Sequence, residues 1–176
     1  MPGGSRNRTS AWWESEIPNV GPTGTAAVMR AMDFEVEVPG RVFGMRVYAA
    51  GFAGQPWAML ATRVSGIVTV IHQMRQFADI DEVEAAAWRN TWFHPTVRVE
   101  PGTTYAAYVT FPAGRTWQKT NYMGNGSGIT RNGIKYLLGA AHSGLNYFTG
   151  TVTHNFNAYG IDVLFRPDEY TPLAYP

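Results

Sequence analysis

The side chains that could react or hold a metal are few and scattered. The four histidines, His72, His94, His142 and His154, lie far apart and lack the H-x-x-x-H spacing that lets two imidazoles share a zinc ion. There is no cysteine, which excludes disulfides, thiolate zinc sites and thiol catalysis. Asp79, Asp81, Glu82 and Glu84 crowd together the carboxylate oxygens that calcium prefers, although a solvated acidic loop has the same composition. In the run Gly124-Asn-Gly-Ser-Gly128, Ser127 is placed like a nucleophile at a tight turn, but Asn125 and Ile129 stand where that motif needs glycine. No long strand-then-helix pattern surrounds the run, so it fails as a phosphate or dinucleotide loop and is expected to be a flexible turn. Glu35 and Glu37 point the same way, but they sit on the regular polar face of a strand, which argues for an ordinary surface and against a glycosidase carboxylate pair across a cleft. No catalytic residue, no metal site and no cofactor is expected.

Binding is the stronger candidate chemistry. Flat aromatic rings stack on the apolar faces of sugars, and Asn, Gln and Arg bridge the hydroxyls between them. Arg115, Trp117, Asn121 and Tyr122 concentrate these groups within one short stretch, and Tyr147 and Tyr159 are expected near them. The competing reading makes Trp117, and more strongly Trp88 at the head of a strand, core or interface aromatics. Composition supports contact with uncharged partners. Charged residues are 15% of the 176, below the roughly 25% usual for soluble domains. The net charge is +1 and the basic residues are spread singly, so no nucleic-acid footprint is indicated. Arginine outnumbers lysine heavily, which a GC-rich genome explains as well as chemistry does.

These residues need a frame, and the frame is β. From Met32 to Val38, the apolar Met32, Phe34, Val36 and Val38 alternate with Asp33, Glu35 and Glu37. Successive strand side chains point to opposite faces, so the expectation is one dry face and one wet, acidic face. After Pro39-Gly40, Phe43, Met45 and Val47 repeat the pattern. Together the two runs predict a hairpin, with Arg46 across from the acidic face in a pairing worth ~0.2–1 kcal/mol. Further strands are expected at Trp57–Val64, at Ile67–Phe77 after a tight Ser65-Gly66 turn, and at Thr103–Phe111 after the turn Glu100-Pro101-Gly102. Trp88–Phe93 and Thr96–Val99 read as short strands broken by Pro95, which marks an edge or a bulge. Trp117–Tyr122, Ile134–Leu138 and Asn157–Phe165 complete the set, and Asp79–Ala87 alone has helical propensity. Many short strands with frequent turn signals, in a chain long enough for one sizeable core, predict an all-β antiparallel β-sandwich or jelly roll.

Residues 1–24 and 168–176 are polar or rich in glycine and proline, and read as extended N- and C-terminal arms flanking a sandwich domain at 25–167. Arms of this composition are expected to be tied down by other chains through Arg6, Arg8, Trp12, Trp13, Tyr170 and Tyr175, the alternative for Trp12 and Trp13 being that they fold back on their own domain. The N-terminal stretch lacks the apolar core of a signal peptide, and no run is long and apolar enough to span a membrane. If the protein acts outside the cell that makes it, it is expected to leave by a route other than a cleaved leader, of which lysis is one.

Three phrases resemble, in this order, the hallmarks of a known family: DFEVEVPGRVFGMRVY at 33–48, VRVEPGTTYAAYVTFPAG at 97–114 and FNAYGIDVLFRP at 156–167. Over roughly residues 25–167 the chain resembles a bacterial β-sandwich domain family of unknown function. That family occurs in secreted carbohydrate-active proteins and in minor tail proteins of bacteriophages. The likeness lies in turns and core positions, and residues 72–87 and 124–150 depart from it with Met, His and acidic loops. The resemblance implies a structural virion protein of a bacteriophage, a minor tail or tail-tip component made in the host cytoplasm. Its implied partners are other virion proteins, copies of itself and a host-surface glycan, with no nucleic acid and no membrane insertion. A capsid decoration protein and a carbohydrate-binding accessory module of a secreted enzyme system are the alternatives.

Overall fold

The computed structural model describes residues 28–49, 56–77, 87–111, 129–131, 133–142, 152–155 and 160–168. In chain order the strands among them are Val28–Val36 (β1), Gly40–Ala49 (β2), Trp57–Val64 (β3), Ile67–Gln76 (β4), Ala87–Val99 (β5), Tyr105–Phe111 (β6), Ile129–Arg131 (β7), Ile134–His142 (β8), Val152–Asn155 (β9) and Ile161–Pro167 (β10). No helix occurs among the described residues. The expected strand at Trp117–Tyr122, the Asp79–Glu84 acidic loop, and the arms apart from Asp168 lie outside them.

The strands form two antiparallel sheets, a β-sandwich. The larger has seven strands in the order β4-β3-β6-β1-β8-β7, with β9 also on β8; the smaller has three, β10-β2-β5. Local chemistry explains the tight connections. Ser65 (φ 50°) and Gly66 (φ 81°) both take positive φ, the geometry that lets a two-residue turn join β3 to β4 without splaying them. Gly102 (φ 77°) takes the left-handed position of the Pro101-Gly102 turn, which carries the chain from the smaller sheet to the larger.

The hairpin expected around Pro39-Gly40 does not form. β1 pairs with β6 and β8 in the larger sheet, while β2 pairs with β10 and β5 in the smaller. The segment between them turns the corner of the sandwich, held by Glu37 N–H to the Gly133 carbonyl (2.9 Å) and Asp168 N–H to the Pro39 carbonyl (3.1 Å). Gly40 serves close approach rather than a turn. A Cβ there would lie 2.4 Å from the Arg166 carbonyl oxygen and 2.5 Å from the Phe165 ring. The two short strands expected either side of Pro95 are one element, β5, whose register jumps from Val97 opposite Val42 to Trp92 opposite Gly44. Residues 93–96 therefore bulge against Phe43 alone, on an edge strand, where a proline costs no ladder hydrogen bond.

Between the sheets, Met32, Phe34 and Val36 of β1 meet Val42, Met45 and Val47 of β2 and Ile161, Val163 and Phe165 of β10. Phe34 is wholly buried, stacked on Tyr105 at 5.6 Å and edge-on to Tyr136 at 6.0 Å. Burial of a side chain of that size contributes ~1.5–3 kcal/mol. The other face of β1 is not uniformly wet. Met29 and Ala31 join Met59, Ala61, Ala106 and Tyr108 in a second buried cluster, and Asp33 is buried among them; only Glu37 of the three acids is exposed. One open side of the sandwich is laced by side chains. Arg75 Nη2 donates to the His94 carbonyl (2.6 Å), Gln73 Nε2 to that of Pro95 (3.1 Å), and Thr91 Oγ1 to that of Gln76 (3.1 Å).

Candidate functional site

The outer face of the three-stranded sheet carries a groove of about 310 Å³ lined by Arg41, Phe43, Trp92, Phe93, His94, Thr96 and Arg166. The bulge in β5 builds it. Opening the register at residues 93–96 lets Phe43 tuck beside Trp92, their rings nearly parallel (8°) with centroids 6.0 Å apart. Gly44 makes the partnership possible. A Cβ at Gly44 would sit 2.4 Å from the Thr91 carbonyl oxygen and 3.1 Å from the Trp92 ring. Trp92 stays 40% exposed.

Cationic donors share the groove with this ring. Arg41 donates through Nη1 to Thr96 Oγ1 (3.2 Å), and Arg166 stands directly opposite Arg41 across the β2–β10 ladder. Among the described residues, the groove lining holds no carboxylate. What it offers is a ring for stacking, guanidinium forks for oxygen, and a hydroxyl.

Of the residues singled out from the sequence, Arg115, Trp117, Asn121, Tyr122, Tyr147 and Tyr159 lie outside the described residues. The same holds for Arg6, Arg8, Trp12, Trp13, Tyr170 and Tyr175, for Asp79, Asp81, Glu82 and Glu84, and for Ser127. Trp88 packs on the inter-sheet core, as its place at the head of a strand suggested. The Arg46 guanidinium lies 4.4 Å above the Trp88 ring centroid. Arg46 does not face the acids of β1. Its Nε donates to Asp162 Oδ2 (2.8 Å), because its strand neighbour is β10.

His94 is in the groove, whereas His72 is half-buried next to Tyr105, its Nε2 2.6 Å from Thr62 Oγ1. Burial pushes the His72 imidazole below its ordinary pKa. His142 and His154 lie on the paired strands β8 and β9. Among the described residues, no three His, Asp or Glu side chains come together as a metal site would need. Glu35 is half-buried and accepts from Thr104 Oγ1 (3.2 Å).

With this geometry in view, the chain matches no protein-family model and no curated protein.

Sequence reasoning passed over Arg41, Trp92 and Arg166 and set Phe43 with Met45 and Val47 on the apolar face. The register shift between Val42 and Gly44 instead leaves Val42 in the core and turns Phe43 to the groove. For Trp92 one signal was available. In a two-layer fold, the adjacent Trp92 and Phe93 of a strand must face opposite ways. Phe93 is 1% exposed and fills the core, so Trp92 is left outside.

Proposed function

We propose that this chain is a non-catalytic structural and adhesion protein of a bacteriophage virion, a tail component whose sandwich displays a glycan-binding groove. The observation that carries adhesion is the outward-facing Trp92–Phe43 stack in a groove shared with Arg41 and Arg166, with no carboxylate among the described lining residues. Sugar rings lay their C–H faces on such an indole, and guanidinium groups reach the hydroxyls around them. The virion assignment draws on the resemblance of residues 33–48, 97–114 and 156–167 to phage minor tail proteins. It draws also on the weakly charged composition and on arms suited to gripping neighbouring subunits. The groove equally suits an accessory module of a secreted enzyme system, and the genes on either side discriminate the two.

A glycan array tests the adhesion half. Wild-type protein is expected to retain a subset of glycans and Trp92→Ala to lose them, while binding untouched by that change would remove the groove from the account. Deleting residues 1–20 tests the assembly half. The truncated protein is expected to fold yet fail to enter particles, and unchanged incorporation would count against arm-mediated anchoring.

A further inference from the structure

The register of the smaller sheet lines up three arginines. Arg166 of β10 is directly opposite Arg41 of β2, and Arg41 is directly opposite Arg98 of β5. Directly opposed residues share a face with Cβ atoms ~4.5–5.5 Å apart, and like charges so placed repel. Only one end of the row is neutralised. Arg98 Nε donates to Glu100 Oε1 (2.7 Å) and its Nη1 pairs with Asp168. Arg41 is bonded to a neutral hydroxyl, and among the described residues neither it nor Arg166 is in an ion pair. Both arginines are exposed and both line the groove beside Trp92.

From this juxtaposition, and resting on the reading of the groove as a glycan site, we infer that its ligand is an acidic polysaccharide whose sugar carboxylate bridges Arg41 and Arg166 while the ring lies on Trp92. A carboxylate matches a guanidinium fork in two hydrogen bonds, and an anion between two guanidinium groups relieves their repulsion. A nucleic-acid strand also stacks on tryptophan, but its phosphates need a track of cations along the backbone. Here the third arginine of the row is already occupied, so the charge is local, suited to one carboxylate per sugar.

The test titrates the full chain with polygalacturonate and with its methyl ester, which has the same rings without the charge. The acid is expected to bind about tenfold or more tighter than the ester. That preference should weaken as salt is raised. Arg41→Gln and Arg166→Gln should each bring the acid-to-ester ratio close to one, with the melting temperature unchanged as the check on folding. Trp92→Ala should lower binding of both polymers. Equal binding of acid and ester by the wild type would overturn the carboxylate and leave the glycan reading standing. Binding of neither polymer, together with a blank glycan array, would overturn both. Tighter binding of an oligo-dT strand than of either polymer, lost in the arginine variants, would also overturn it.

Discussion

Two buried ion pairs made of the same residue types hold different parts of this molecule. Arg46–Asp162 joins β2 to β10, and both side chains are inside, 6% and 0% exposed. Asp162 Oδ1 also accepts from the Tyr136 hydroxyl (2.8 Å) and from Val163 N–H (2.9 Å), so the carboxylate ties the smaller sheet to β8 of the larger. Arg63–Asp33 lies in the second cluster of the larger sheet and reaches over β6 from β3 to β1, with contacts of 2.8 and 3.1 Å. Ala61, Ala106 and Asp33 are in register across those strands, and small alanines leave the arginine room to cross. Tyr108 lies near this pair as Tyr136 lies near the other. A buried charge pair has to recover a desolvation cost of several kcal/mol per ion, and additional hydrogen bonds decide whether it does. The inner pair stitches two sheets and the outer one braces a single sheet.

That contrast can be broken by deletion. Asp162→Ala leaves Arg46 charged in the interior and is expected to cost ~3–5 kcal/mol in urea denaturation. Replacing both partners, Arg46→Met with Asp162→Leu, should recover most of that loss, since no charge is then stranded. Asp33→Ala should cost less, about 2 kcal/mol, because Arg63 Nη2 keeps the Gly66 carbonyl (2.8 Å) as a partner. An equal or larger cost at Asp33 would mean that the Gly66 carbonyl does not offset the lost carboxylate. Next in size is Tyr136→Phe, which removes a hydrogen bond to a buried carboxylate and is expected to cost ~1.5 kcal/mol.

Alkaline pH sharpens the comparison. Burial raises the Tyr108 hydroxyl to about 12, with Arg63 opposing and Asp33 reinforcing. Tyr136 is pushed well above 10, first by burial and then by the Asp162 charge. A tyrosine raised in the folded state stabilises the protein fully below its unfolded pKa near 10 and loses that contribution as pH rises through the folded value. Melting temperature should therefore fall above about pH 10, and Tyr136→Phe should flatten that fall. The smallest effect is at the acid end. The His72 pKa is lowered by burial, so the neutral ring stabilises the fold above pH 6.5, and that contribution is lost as pH falls through its depressed folded value. His72→Gln should remove this component of the acid melting curve, and an unaltered curve would show that His72 contributes none of it.

Much of the architecture follows from local chemistry, and particular residues show where that stops. Val64-Ser65-Gly66-Ile67 could only be a tight turn, and β3 begins and ends where its hydrophobic run does, at Trp57 and Val64. Trp88 was legible as an aromatic packed against the core, and Pro95 as an edge irregularity. Pro39-Gly40 misled because proline followed by glycine signals a turn without saying which strands it joins. The glycine is required by Phe165 and Arg166, more than a hundred residues further along the chain. Asp33 misled because alternation shows that a side chain leaves the main core but not what waits on the other side.

The sequence by itself determined the class of this protein, through its period-two strands, its left-handed turn residues and its shortage of charge. Tertiary structure alone decided which strands became neighbours, since partner choice depends on contacts between distant segments that periodicity does not encode. From that choice came the burial of Asp33 and Asp162, the stacking of Phe43 on Trp92, and the row from Arg166 through Arg41 to Arg98.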